Sequence, residues 1–176
     1  MSISPARRAS IASMIRVNQA GEFGAARIYA GQLAVMGNRH PVAREIAHMA
    51  EQEARHRVFF DRLMIERRVR PTVLAPFWDM AGFALGAATA ALGPRAAMAC
   101  TAAVETEIDR HYAEQLQELG DDDPELSAAI AEFHAEELEH KESAIAAGAE
   151  SAPGYVVLSA VIRAGCRTAI ALAKRI

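Results

Sequence analysis

The feature that most constrains the fold of this chain is a pattern of glutamate, tyrosine and histidine that occurs twice. In each half a Glu is followed seven residues later by a Tyr, and 31 or 32 residues after that Glu comes a Glu-x-x-His pair. The members are Glu22, Tyr29, Glu53 and His56 in the first half, and Glu105, Tyr112, Glu137 and His140 in the second. Corresponding positions are offset by 83 or 84 residues. A single Glu-x-x-His pair is weak, but the matched repeat indicates two equivalent halves.

Helix phase separates the meaningful pairs from a chance one. The chain has three Glu-x-x-His pairs, Glu45/His48, Glu53/His56 and Glu137/His140, where composition predicts about half a pair by chance. Residues three apart share a helix face. The second and third pairs lie in line with apolar residues and therefore point inward. The first pair is turned about 80° from the second on the helical wheel, in line with Gln52 and Arg55, and is predicted to be solvated.

Two further acids complete a metal-ligand set. Glu22 and Glu105 each lie on an otherwise apolar helical line, and buried carboxylates are costly unless they are paired or bound to a cation. One Glu from each of two helices plus Glu-x-x-His from each of two others is the ligand set of ferritin-like di-iron or di-manganese proteins. Four carboxylates offset the charge of two divalent cations, and carboxylate with imidazole suits iron or manganese. Iron is the better prediction for oxygen chemistry.

Plainer interpretations remain open for each residue. The six ligand candidates can instead form surface or intrahelical ion pairs. Tyr29 and Tyr112 are more often core aromatics than carriers of electrons or protons. His111 lies next to a polar face, where it is either exposed or a partner of a ligand. The other acids of the stretch 132–142 are predicted to be solvated or to support the ligands; they are Glu132, Glu136, Glu139 and Glu142.

Breaker residues divide the chain into helices over about 13–37, 41–68, 77–92, 95–119, 124–149 and 155–175. This predicts an all-α, ferritin-like four-helix bundle with a short apolar helix inserted midway and an additional C-terminal helix. Residues 1–12 are predicted to be a flexible N-terminal arm, and 13–176 a single domain with pseudo-repeats over 13–68 and 95–149. The net charge of −3 offers no basic surface for nucleic acid. Cys100 and Cys166 form no CxxC pair and are predicted to be buried, reduced thiols.

Two apolar segments indicate contact with a membrane surface. Residues 80–94 form an uncharged run of fifteen residues. This run is shorter than the roughly 20 residues that span a bilayer as a helix. The last helix mixes Val, Leu and Ile with Arg163, Arg167, Lys174 and Arg175. Both suit a helix that lies in the membrane surface, although a core helix rich in Ala and Gly has the same composition. A di-iron site beside such a surface suggests oxidation of a lipid-soluble substrate with O2.

From about residue 13 onward the chain closely resembles the demethoxyubiquinone hydroxylases, the membrane-associated di-iron monooxygenases of ubiquinone biosynthesis. The segments that carry the resemblance are IRVNQAGEFGAARIYAGQ (15–32), RPTVLAPFWDMAGFALGAATAALG (70–93), AMACTAAVETEIDRHY (97–112) and EELEH (136–140). The resemblance implies hydroxylation of a polyprenyl methoxybenzoquinol, with two iron ions per chain, O2, and NADH or another reductant. The family's ligands carry over onto the six residues reached from spacing. Tyr112 and His111 are candidates for electron or proton delivery.

The resemblance also implies peripheral association with the cytoplasmic face of a bacterial inner membrane, or with the mitochondrial inner membrane if the N-terminal segment is a clipped presequence. A homo-oligomer and a lipid-binding accessory protein are possible partners. Three alternatives stay open from the residues. They are ferritin-like iron storage, a rubrerythrin-like peroxidase, which usually has a CxxC…CxxC site that this chain lacks, and a non-catalytic assembly factor on the membrane surface.

Overall fold

The computed structural model describes residues 4–37 and 40–175, and over these residues the chain is helical, without strands. The α-helices are α1 (Pro5–Met36), α2 (Pro41–Glu66), α3 (Ala75–Ala91), α4 (Pro94–Leu119), α5 (Pro124–Ala146) and α6 (Tyr155–Ala173). A short 3-10 turn, Ala149–Ser151, lies between α5 and α6. Four of these helices begin at a proline, whose missing N–H is not needed in the first turn. The predicted all-α class and order of helices are confirmed.

Helix α1 begins eight residues earlier than the sequence analysis predicts. The side chain of Ser4 accepts a hydrogen bond from the backbone N–H of Arg7 at 3.2 Å, and Pro5 occupies the first helical position. Ile11 is buried, and the guanidinium of Arg7 contacts Asp122 at 2.6 Å. The prediction of a flexible arm is therefore wrong from residue 5 onward, because a cap and a tertiary ion pair stabilise this turn. Residues 1–3 of the predicted arm lie outside the described residues.

The helices form a four-helix bundle with one helix added to each half. Helix α1 packs on α2, α4 packs on α5, and the two pairs meet through α1 with α4 and α2 with α5. Helix α3 packs on α1, and α6 packs on α4. The added helices are therefore equivalent, and each unit of the repeat contains three helices rather than two. One apolar cluster fills one end of the bundle around Ile15 and Phe60, and another fills the opposite end around Tyr29 and Met49. The polar centre lies between them.

Helices α1 and α3 approach each other so closely that their contact requires glycine. A Cβ built on Gly86 would lie 1.9 Å from the carbonyl oxygen of Ile28, and one on Gly31 would lie 2.2 Å from that of Phe83. Both obstructing atoms are backbone, which cannot rotate away. The glycines of the apolar helix are therefore packing residues that seat α3 on α1.

The added helices leave apolar side chains exposed. Met80 of α3 and Val156 of α6 are 73% and 78% exposed, and Phe77 and Val157 are also exposed. Among the described residues one helix, α6, is long and apolar enough to cross a membrane by length and composition alone.

Candidate metal centre

The six residues predicted as metal ligands converge in the middle of the bundle, and none is more than 2% exposed. Their ligand atoms form two groups in which every atom lies within 4.8 Å of the others, namely Glu22, Glu53, His56 and Glu137, and Glu53, Glu105, Glu137 and His140. Glu53 and Glu137 belong to both groups and lie between the two positions. Each position then has one further Glu and one His. The arrangement can hold two cations bridged by two carboxylates.

The carboxylate oxygens lack the hydrogen-bond donors that burial normally requires. Both oxygens of Glu53 and Oε2 of Glu105 are buried without a hydrogen-bond partner among the described residues. Buried polar atoms otherwise nearly always have a hydrogen-bond partner, because an unpaired atom loses its hydrogen bonds to water without gaining one in the protein. Cations at the two positions would satisfy these oxygens. The donor set therefore fits a pair of divalent metal ions with oxygen and imidazole ligands.

The electrostatics of the cluster also favour a cation. Burial, reinforced by the charge of Glu137, raises the pKa of Glu53 and of Glu105 well above the usual range. Burial opposes the charge of Glu137 as well, but hydrogen bonds from His140 and His56 lower its pKa to about 2. Burial also disfavours the charged form of His56, yet its bonds to Glu137 and Glu22 raise its pKa to about 10. Divalent cations would take the place of these retained protons.

Two buried tyrosines hold the unshared carboxylates in a reciprocal arrangement. The hydroxyl of Tyr29 on α1 donates to Oε1 of Glu105 on α4 at 2.7 Å, and the hydroxyl of Tyr112 on α4 donates to Oε1 of Glu22 on α1. Burial, together with the neighbouring carboxylates, raises the pKa of both tyrosines well above 10, so both remain protonated donors. Each half of the repeat thus positions a glutamate of the other half.

The histidines are held from behind by two residues that also correspond in the repeat. Nε2 of His56 contacts Oε2 of Glu136 at 2.9 Å, and Nε2 of His140 contacts Oε1 of Gln52 at 3.0 Å. The side-chain amide of Gln52 also donates to Oε2 of Glu136 at 3.1 Å. Helix phase alone predicts that Gln52 lies on a solvated face, and it leaves Glu136 either solvated or in support of a ligand. The available signal was position, because each directly precedes the Glu of a Glu-x-x-His pair and the two are 84 residues apart.

The remaining candidates lie outside the cluster. His48 is exposed and Glu45 is half-buried, so the prediction that this pair is solvated is confirmed. His111 is buried, and its Nε2 contacts the Gln115 amide at 2.8 Å rather than any of the six candidates. Burial, with smaller contributions from Lys174 and Arg110, lowers the pKa of His111 to about 4. The acids predicted to be solvated are exposed at Glu132, Glu139 and Glu142.

Two openings flank the centre on different sides. An apolar groove of about 350 Å³ lies among α1, α3, α4 and α6, and its wall includes Gly21, Gly24, Val104 and Cys166. Gly21 and Val104, which line the groove, directly precede the ligand candidates Glu22 and Glu105 in the sequence. A second cavity, of about 440 Å³, opens between α2 and α5, and its lining combines His56 and charged side chains with Phe59, Phe133 and two alanines.

Six buried carboxylate and imidazole side chains that converge from four helices of an all-α bundle are the arrangement of a ferritin-like protein. Within that class, residues 9–173 match the family model described as "Ubiquinone biosynthesis protein COQ7", and the chain belongs to this family.

Curated relatives match almost the full chain. The 3-demethoxyubiquinol 3-hydroxylase of Rhodospirillum rubrum is 51% identical over 172 residues, covering 98% of this chain and 81% of that protein. The NADPH-dependent 3-demethoxyubiquinone 3-hydroxylase, mitochondrial, of Mus musculus is 50% identical over 179 residues, covering 99% and 82%. The 5-demethoxyubiquinone hydroxylase, mitochondrial, of Saccharomyces cerevisiae is 40% identical over 190 residues, covering 99% and 82%. The family expected from the four sequence segments is confirmed.

Proposed function

We propose that this protein is a di-iron monooxygenase that hydroxylates the ring of demethoxyubiquinol in ubiquinone biosynthesis. The observation that carries the proposal is the convergence of four buried carboxylates and two imidazoles into two adjoining ligand groups. The names of the relatives support the substrate. In the reaction a ring C–H bond becomes C–OH, the second oxygen atom of O2 leaves as water, and a reductant supplies two electrons.

The six residues would hold the two iron ions, and Glu53 and Glu137 belong to both ligand groups. When bound, the iron pair supplies the reductive activation of O2 that the protein side chains cannot perform. The protein's part is to keep this centre dry and to position the ligands. Tyr29 and Tyr112 hold the unshared carboxylates, and the contact of Tyr112 with Glu22 gives it a path for passing a proton to the centre. His111 lacks such a contact, so we do not assign it this role.

The apolar groove holds the quinol beside the metal centre. Its walls are small or apolar side chains from four helices, which suit an isoprenoid tail and exclude water from the ring. Gly21 and Gly24 are the positions where α1 leaves this space open, because a Cβ built on either meets no atom within 4 Å. The ring would then lie against Gly21 and Val104, which directly precede Glu22 and Glu105.

The exposed ends of α3 and α6 bring the groove to a membrane surface. Both helices line the groove, and both expose apolar side chains such as Met80 and Val157. Lys174 and Arg175, which are exposed at the end of α6, add charges that suit lipid head groups. We place the protein peripherally on the cytoplasmic face of a bacterial inner membrane, or on the mitochondrial inner membrane of a eukaryote. We take a reduced nicotinamide dinucleotide as the electron source, since the mouse relative is named NADPH-dependent.

The quinone profile of a host without its own hydroxylase tests the function. We expect this chain to convert demethoxyubiquinone into ubiquinone, and Glu137→Gln to abolish the conversion, because a neutral amide cannot bridge two cations. Glu139→Gln is the matched control, since Glu139 is exposed two residues away on the same helix. Conversion by all three proteins would remove the metal centre from the reaction, and accumulation of a different oxidised product would overturn the substrate.

A glycine of the groove tests the binding site separately. Gly24→Leu places an isobutyl group in open space, so we expect normal folding and iron content but slow turnover of long-tailed quinols. Ala34→Leu is the control, because Ala34 is exposed on the same helix and lies outside the groove. The KM for a long-tailed quinol should rise more in Gly24→Leu than the KM for a short-tailed analogue. If Gly24→Leu changed the KM for the long-tailed and the short-tailed quinol by the same factor, the placement of the tail would be contradicted.

A further inference from the structure

The side chains behind the two histidines form one continuous chain of hydrogen bonds across the α2–α5 interface. It runs from His56 to Glu136, from Glu136 to Gln52, and from Gln52 to His140, with distances of 2.9, 3.1 and 3.0 Å. His56 and His140 are each at most 2% exposed, and Gln52 is 9% exposed. Arg55 contacts the outer side of Glu136 at 3.1 Å. The two imidazoles are thus connected on the side that faces away from the proposed metals.

The direction of every bond in this chain follows from one residue. An ionised carboxylate only accepts hydrogen bonds, so Glu136 requires a proton on Nε2 of His56 and requires the NH2 group of Gln52 to face it. The carbonyl oxygen of Gln52 then faces His140, and it too only accepts. His140 must therefore also carry its proton on Nε2. A neutral imidazole carries one N–H, so in the neutral form that can bind a metal both histidines have an unprotonated Nδ1.

The unprotonated nitrogens are the ones that face the carboxylate cluster. Nδ1 of His56 lies 3.2 Å from oxygens of Glu22 and Glu137, and Nδ1 of His140 lies 3.0 Å from Glu137. A lone pair facing carboxylate oxygens is repulsive unless a cation lies between them. The chain of bonds therefore selects the one tautomer of each histidine that can bind a metal at this centre.

We propose that Glu136 is a positioning residue for both metal positions, acting directly on His56 and through the amide of Gln52 on His140. This inference rests on the proposed metal centre and deepens it. A single carboxylate at the edge of the cavity between α2 and α5 sets the tautomer of two imidazoles on different helices. The two residues are not interchangeable, because Glu136 acts on both positions and Gln52 acts only on the one that contains His140.

This difference gives a directional test. In protein loaded with Co²⁺, each ligating histidine gives an exchangeable, paramagnetically shifted N–H proton resonance, and we expect two such resonances in the wild type. Gln52→Met should remove or broaden only the resonance of His140, whereas Glu136→Met should affect both. Loss of such a supporting residue typically lowers metal affinity about 10–100-fold. We therefore expect competition with a chelator to find one weakened position in Gln52→Met and two in Glu136→Met.

Two further variants separate positioning from simple disruption. Glu136→Gln keeps an amide oxygen that can accept from both His56 and Gln52, so it should restore both resonances. Glu132→Met introduces the same side chain in the same cavity at an exposed position and should leave both resonances unchanged. An effect of Glu136→Met on the His56 resonance alone would overturn the proposal, as would equal effects of Glu132→Met. Wild-type protein that binds no Co²⁺ would instead overturn the proposed function.

Discussion

The contact between α1 and α3 gives a quantitative prediction about how the groove is built. The Cβ of an alanine at Gly86 would lie 1.9 Å from the carbonyl oxygen of Ile28, whereas ordinary contact begins near 3.4 Å. Because the obstructing atom is backbone, relief requires α3 to move away from α1 by about 1.5 Å. Overpacking of this kind costs about 1–3 kcal/mol, and a backbone clash belongs at the upper end. Alanine recovers about 1 kcal/mol through its better helix propensity.

The net expectation for Gly86→Ala is a loss of about 2 kcal/mol in the free energy of unfolding. For a domain of this size that corresponds to a Tm lower by about 4–8 °C, measured by circular dichroism on protein with equal metal content. Hydrogen exchange should locate the loss, with faster exchange of the amides of α3 than of α2 or α5. Turnover should fall as well, because α3 forms one wall of the groove.

Gly24→Ala is the matched control for this change. Gly24 also lies within a helix, on α1, but its Cβ would meet no atom within 4 Å. Only the helix-propensity gain remains, so the free energy of unfolding should rise by about 0.5–1 kcal/mol. If Gly86→Ala and Gly24→Ala shift the Tm in the same direction by similar amounts, α3 does not depend on close backbone contact with α1, and the argument fails.

Two further predictions concern individual histidines. His56→Ala should lower the iron content from about two ions per chain towards one, by inductively coupled plasma mass spectrometry, because it removes a ligand of one position. His48→Ala, its solvated counterpart, should leave the content unchanged, and an equal loss in both variants would contradict the helix-phase argument. His111 should make stability depend on pH, because its folded pKa of about 4 lies below the ordinary 6.5. Its contribution is complete above pH 6.5 and is lost as the pH falls towards 4, with an amplitude of about 3 kcal/mol. The free energies of unfolding of the wild type and His111→Gln, measured with denaturant, should depend differently on pH over that range. The same pH dependence in both proteins would contradict the lowered pKa of His111.

Much of the candidate centre was predictable because its information is local. A spacing of three residues places Glu and His on one helix face, and the surrounding apolar residues show that this face points inward. The same reasoning correctly separates His56 from His48, which lie on one helix only eight residues apart. The repeat then supplies the partners, since an inward carboxylate at Glu22 implies a counterpart at Glu105. None of these steps requires knowledge of which helices touch.

The features that escaped prediction depend on contacts between helices. Gln52 lies on the flank of α2, and whether that flank meets solvent or α5 is decided only when the bundle assembles. The glycines of α3 could not be interpreted for the same reason. The sequence does not show that Gly86 meets the backbone of Ile28 on another helix. The early start of α1 is a different case. The cap at Ser4 and the following proline are a local signal, which the cluster of arginines in this segment obscured.

The two halves of the repeat contribute different residues to the apolar groove, although the corresponding helices of both halves line it. The ligands are equivalent in the two halves, but Gly21 and Gly24 on α1 correspond, at an offset of 83, to Val104 and Glu107 on α4. Where α1 leaves open space, α4 carries a fully buried carboxylate that accepts from Arg163 of α6 at 2.7 Å. The ion pair fastens α6 against α4, and the glycines keep the matching region of α1 empty. The repeat of three helices thus brings the six candidate ligands together in corresponding positions, whereas the two halves differ where they line the groove. These four positions are where that difference is made.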